Sequence, residues 1–233
     1  MKKQRESSTI LGCFTPPVMI ATFLIEIFLA IYVLVRYKLS VRTSVIAAIL
    51  ICLAGFQLAE FYVCTQSDGA YIAARAGYVF ITLLPALGLY LMSLLTKPLS
   101  RKATVSLLAS TVLIASYFLL APRAFDGYEC TGNYVIFQIG ALPVLFYSVF
   151  YFGVILLSIL RGLRFVSANP KGMKAKAVRW LLAGYAAFIM PVAVIVIIQP
   201  EIIRALPSVL CGFAVALALI LGLRVAPGIL RKK

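Results

Sequence analysis

Seven runs of about twenty apolar residues, parted only by short polar turns, fill most of this chain. A helix of that length crosses the roughly 30 Å hydrocarbon layer of a bilayer. Inside it, a helix satisfies every backbone N–H and C=O from within its own segment. The runs place helices at 16–37, 43–64, 71–95, 103–121, 133–160, 177–199 and 205–225. The expected fold is all-α: a polytopic membrane protein, a seven-helix bundle forming one integral membrane domain over residues 1–233. Hydrophobic residues make up 63% of the 233 and charged residues 12%. A soluble domain has roughly 45–50% and 25%, so a single aqueous core of this length has no room for so much apolar surface. The first run is too long for a signal-peptide core and has no small-residue cleavage site, so it is expected to stay as a helix.

Charge sets the expected orientation. Of 22 Lys and Arg, sixteen fall in four connections that hold no acidic residue. These are Arg36, Lys38 and Arg42; Lys97, Arg101 and Lys102; the stretch from Arg161 to Arg179; and Arg224, Arg231, Lys232 and Lys233. By the positive-inside bias this side is cytoplasmic, which puts the N-terminus outside and the C-terminus inside. Lys2, Lys3 and Arg5 run against the assignment but are outnumbered. Basic residues at the ends of apolar runs suit anionic lipid headgroups, so membrane lipids, not nucleic acid, are the expected partners of the +15 net charge. Compact loops without an Asn-x-Ser/Thr sequon point to the plasma membrane of a prokaryote.

A few polar residues interrupt the apolar runs. Glu26 lies about ten residues into the first helix, near mid-bilayer, where an ionisable group is costly and is expected to face a polar interior. It reads either as a proton-coupling or ligand-binding carboxyl, or as a structural group hydrogen-bonded to a neighbouring helix. Gln57 and Glu60 are three residues apart and share one face of the second helix. Arg75 starts the third helix at a similar depth, and an ion pair with Glu60 is expected; the alternative has Arg75 reaching the outer headgroups. Tyr78 and Thr82 follow Arg75 down one face, and Gln138 is expected in the outer half of the fifth helix. Together Glu26, Gln57, Glu60, Arg75, Tyr78, Thr82 and Gln138 predict a ligand-binding cavity open to the outside and closed below by packed apolar side chains. The inner half carries almost no polar residue of its own. Tyr147 and Tyr151 are expected to pack, each needing one hydrogen-bond partner.

Cys64 and Cys130 both fall at the outer surface, where an oxidising compartment permits a disulfide between them. Two separate thiols are the other reading, and Cys13 is a third candidate. Cys52 and Cys211 read as small apolar fillers. Pro85, Pro143 and Pro191 are expected to interrupt the third, fifth and sixth helices. Ser208, Gly212 and Ala216, with Ala214, Ala218 and Gly222, line the seventh with small residues and mark it as a closely packed, central helix.

The chain has no histidine, the commonest metal ligand and general base. HExxH, GxSxG and GxxxxGK[ST] motifs are absent too. No cofactor or metal is expected, and the protein reads as non-enzymatic. No lysine falls within a predicted helix, which excludes a retinal Schiff base. In number and orientation of helices the layout resembles the seven-helix sensory regions that precede some bacterial signalling kinases. The leading functional expectation is a receptor-like binding or sensory module for a small or lipidic ligand. A small proton-coupled transporter using Glu26 comes second. An intramembrane enzyme using Glu26 or Glu60 as acid or base comes third.

Overall fold

The computed structural model of the chain describes residues 15–65, 69–122, 124–130 and 135–232. Of the residues used above, Lys2, Lys3, Arg5, Cys13 and Lys233 lie outside the described residues. The described part is 83% helical. In chain order it runs α1 (Pro16–Arg36), α2 (Val41–Cys64), α3 (Ala70–Leu95), α4 (Arg101–Leu120), β1 (Gly127–Cys130), β2 (Val135–Gln138), α5 (Ala141–Ala168), α6 (Met173–Ile198) and α7 (Leu206–Ile220). A 3₁₀ segment at Pro200–Ala205 leads into α7, which continues through a π turn at Leu221–Val225 into Ala226–Ile229. Seven helices are long and apolar enough to cross a membrane, the last of them Leu206–Ile229.

Local chemistry fixes several of the helix starts. Pro16 and Pro17 occupy the first turn of α1, where a missing N–H costs nothing. Ser40 caps α2 by accepting the Thr43 N–H at 3.3 Å, and Ser100 caps α4 by accepting the Ala103 N–H at 3.2 Å. Six of the helices begin and end within a few residues of the predicted limits. The fifth does not. It begins at Ala141 rather than 133 and ends at Ala168 rather than 160. Val135–Gln138 is taken by an antiparallel strand pairing with Gly127–Cys130, in the register Gly127↔Gln138 and Cys130↔Val135. At the other end the helix runs on through Arg161 and Arg164, because backbone hydrogen bonds do not require apolar side chains. The fold is therefore helical with a small β-hairpin, rather than purely α. The shift also corrects Pro143: it is the third residue of α5, where the N–H has no intrahelical partner to lose. Of the three expected interruptions, Pro85 and Pro191 sit inside helices.

The helices α2, α3 and α7 bury more than half of their spanning length, whereas α4 and α5 bury less than a fifth. Helix α1 packs on α2 and α7, α2 on α3, α3 also on α5, α5 on α6, and α6 on α7, while α4 lies on α3 at the periphery. As expected, α7 is central. Ser208, Ala214 and Ala218 are buried, and Gly184 of α6 lies so close to α7 that an added Cβ would come within 2.6 Å of Leu217. The outward faces are strongly apolar: Leu108, Leu113 and Leu120 of α4 and Leu145, Phe146 and Val149 of α5 are each more than half exposed. A contiguous apolar belt of this kind suits lipid rather than water.

The hairpin seals one end of the bundle. Val135, Phe137, Phe125 and Ala124 are buried over Phe56, Tyr78 and Phe118. Cys130 at the end of β1 is bonded to Cys64 at the end of α2, as one of the two cysteine readings expects. The Val135 N–H donates to Ser208 Oγ of α7 at 3.2 Å. At the opposite, basic end, the Lys38 N–H donates to the Arg231 carbonyl at 2.9 Å, which ties the end of the chain to the α1–α2 turn. Removing the disulfide frees a hairpin tied across 66 residues of sequence. Cys64→Ser and Cys130→Ser are each expected to lower stability by on the order of 2–4 kcal/mol. The double variant should be no worse than either single one in detergent-solubilised thermal denaturation.

Candidate functional site

Beneath the hairpin, three of the central helices and α1 bring polar groups together. Glu26 is fully buried on α1, about 15 Å along the helix from Pro16 at 1.5 Å per residue. Glu60 and Gln57 are also buried, on α2, the helix against which α1 packs. From α7, Ser208 lies against Glu60, and Cys211 lies near both carboxyls. Because Ser208 Oγ accepts the Val135 N–H, its own hydrogen is free to point at Glu60. From α3 come Tyr78, next to Glu60, and Thr82, whose hydroxyl donates to the Tyr78 carbonyl at 2.6 Å.

The cluster's hydrogen bonding is incomplete. Both oxygens of Glu26, Oε1 of Glu60 and Nε2 of Gln57 are buried without a partner, as is Oη of Tyr147, which lies against Thr82. An unpaired buried polar group costs about 1–3 kcal/mol, more when charged. Native proteins keep very few. A concentration of four such atoms on two adjoining helices marks the place where something with complementary hydrogen bonds fits.

The structure brings Glu26, Gln57, Glu60, Tyr78 and Thr82 together, and leaves Arg75 and Gln138 out. The expected Glu60–Arg75 ion pair is not made. Arg75 Nη1 donates to the Leu119 carbonyl at 2.7 Å and Nη2 to the Ala121 carbonyl at 2.8 Å, with Tyr71 Oη accepting at 2.9 Å. The last carbonyls of α4 lack intrahelical donors and lie at the negative end of the helix dipole, so they attract a cation at little cost. Pairing with the buried Glu60 would instead require stripping water from both charges. Gln138 is on β2, exposed, with its carbonyl accepting the Asp126 N–H. The outward-open cavity is corrected as well, because Glu26, Gln57, Glu60, Tyr78 and Thr82 are all buried beneath the hairpin. A cavity of about 40 Å³, room for a little water or a short alkyl group, lies further along α2, α3, α5, α6 and α7, between Leu53, Pro85, Tyr151, Tyr185, Cys211 and Ala214.

Sequence reasoning also passed over some members of the cluster. Cys211 was read as a filler and Ser208 only as a small packing residue, although their three-residue spacing puts both on one face of α7. Polar groups also reach past mid-helix: Ser158 of α5 and Tyr185 of α6, both buried, are hydrogen-bonded at 3.1 Å. Ser158 lies about 26 Å along α5 from Ala141 at 1.5 Å per residue. The inner half is therefore not wholly apolar. Gly88 gives the Tyr185 hydroxyl its space, since a Cβ there would collide with it.

Comparisons with family models, with curated proteins and with solved structures found no match to this chain.

A double-mutant cycle of Glu60→Gln with Arg75→Ala checks the corrected geometry. With no ion pair, the two changes are expected to add to within about 0.5 kcal/mol, and Arg75→Ala alone should weaken the α3–α4 contact.

Proposed function

We propose that this is a multi-pass protein of the plasma membrane of a prokaryote, with the hairpin outside and the basic end in the cytoplasm. It acts as a non-enzymatic binding or sensory module that holds a small molecule between Glu26, Gln57 and Glu60. The observation that carries this reading is the set of buried, unpartnered polar atoms on Glu26, Glu60 and Gln57. In an apolar bundle such atoms are expensive, and a ligand supplying donors and an acceptor would offset that cost. The apolar belt around the bundle supports the lipid setting, and the clustering of Lys and Arg at one end supports the orientation.

A second reading, a proton-coupled transporter using Glu26, has one observation in its favour. Hydroxyl groups continue from the carboxyls toward the basic end through Thr82, Tyr147, Tyr151 and the Tyr185–Ser158 pair. Catalysis has less support, because no histidine is present to act as a base.

A thermal-stability ligand screen on purified protein tests the first reading. Hits are expected to lose their effect in Glu26→Gln and Glu60→Gln but keep it in Gln138→Ala. In proteoliposomes the same ligands should produce no uptake; uptake that follows a pH gradient and vanishes in Glu26→Gln would move the assignment to transport. Single cysteines placed between 171 and 176 should react with an impermeant thiol reagent only after cells are opened. Labelling of intact cells there would reverse the orientation.

A further inference from the structure

The buried site has a gradient along its length, and that gradient specifies the class of ligand. On α2 one stripe carries Glu60, Gln57, Leu53 and Ile49, at steps of three, four and four residues, so all four lie on the same side of the helix. On α7 the stripe Ser208, Cys211, Ala214, Leu217 and Leu221 changes from polar to apolar in the same direction. On α3 the order is Tyr78, Thr82, Pro85 and Gly88. Of these residues, Ile49, Leu53, Pro85, Gly88 and the α7 stripe from Cys211 to Leu221 line the 40 Å³ cavity. Cys211 joins the two zones, lining the cavity and lying near both carboxyls.

Among the described residues the polar zone contains two carboxyls and no basic side chain. Arg75, the nearest basic residue of α3 in sequence, has its guanidinium turned to the carbonyls of α4. Two acids, one of them with both oxygens unpartnered, are best matched by a group carrying several N–H donors and a positive charge. An anion would be repelled, and a neutral alcohol supplies a single donor. An ammonium group supplies up to three donors in a compact head.

We infer that the site takes a small amphipathic amine, its ammonium head between Glu26 and Glu60 and its short alkyl tail in the apolar cavity toward Ala214. This rests on the binding reading above and narrows it to one class of ligand. Ser208 and Gln57 complete the head site, and the shape of the cavity limits the tail.

Primary alkylamines from methylamine to hexylamine, with butanol and butyrate as controls of similar size, test this by calorimetric titration of the full chain in nanodiscs. Expected is binding by the amines alone, tightening about fourfold per methylene until the cavity is full. Glu26→Gln and Glu60→Gln should each weaken it at least tenfold. Ala214→Leu, which takes up space in the cavity, should shorten the longest tail that gains affinity. Folding of every variant is checked by its thermal transition. If butanol or butyrate binds as tightly as butylamine and loses affinity in the same Glu variants, the amine assignment falls while the buried site stands. If amines bind equally well to Glu26→Gln and Glu60→Gln, or no amine binds, the amine assignment is wrong. The binding reading itself is then decided by the unbiased ligand screen.

Discussion

Hydrocarbon cannot accept or donate a hydrogen bond, and most of this architecture follows from that. Backbone groups are paired within long helices, and the two strands among the described residues form a hairpin packed on the end of the bundle. Where a helix ends and leaves carbonyls over, a basic side chain is brought to them. Arg75 serves the end of α4, and Arg161 donates to the Lys97 carbonyl just past α3. The same constraint makes the unpartnered carboxyl oxygens at the centre conspicuous. The oxygens of Glu26, Oε1 of Glu60 and Nε2 of Gln57 stand out against that pairing.

The hairpin changes what those groups can do. Phe125, Val135 and Phe137 fill the space over Tyr78 and Phe118, so the polar cluster is an internal chamber and not the floor of an open funnel. Attachment on two sides, to α2 through Cys130 and to α7 through Val135, spans the gap between two of the most buried helices. A ligand reaching Glu26 must displace this cover or pass between helices. Pro85 and Pro191, which weaken α3 and α6 within their spans, and the π turn after α7 are the points where the backbone has the least to lose by moving.

Much of this was legible in the sequence because period and length are enough to recognise an apolar helix. Six helices lay within a few residues of their predicted places. The Cys64–Cys130 bond and the central position of α7 could be read from location and from small-residue spacing. The fifth helix could not be placed by the same means. Val135–Gln138 is as apolar as a helix end, and only pairing with Gly127–Cys130 decides that it is a strand. Arg75 shows a second limit: depth along two neighbouring helices suggested Glu60 as its partner, but rotation about the helix axis and the nearby carbonyls of α4 determined the actual one. For the cluster, Glu26, Gln57 and Glu60 stood out by polarity alone, while Cys211 became relevant only once α7 was known to pack against α1 and α2.

One consequence of the hairpin's double fastening concerns the order of synthesis. Cys64, Cys130 and Ser208 are far apart in sequence, so the cover cannot be fixed at its second point until α7 is in place. One helix thus both fastens the cover and completes the wall behind Glu60.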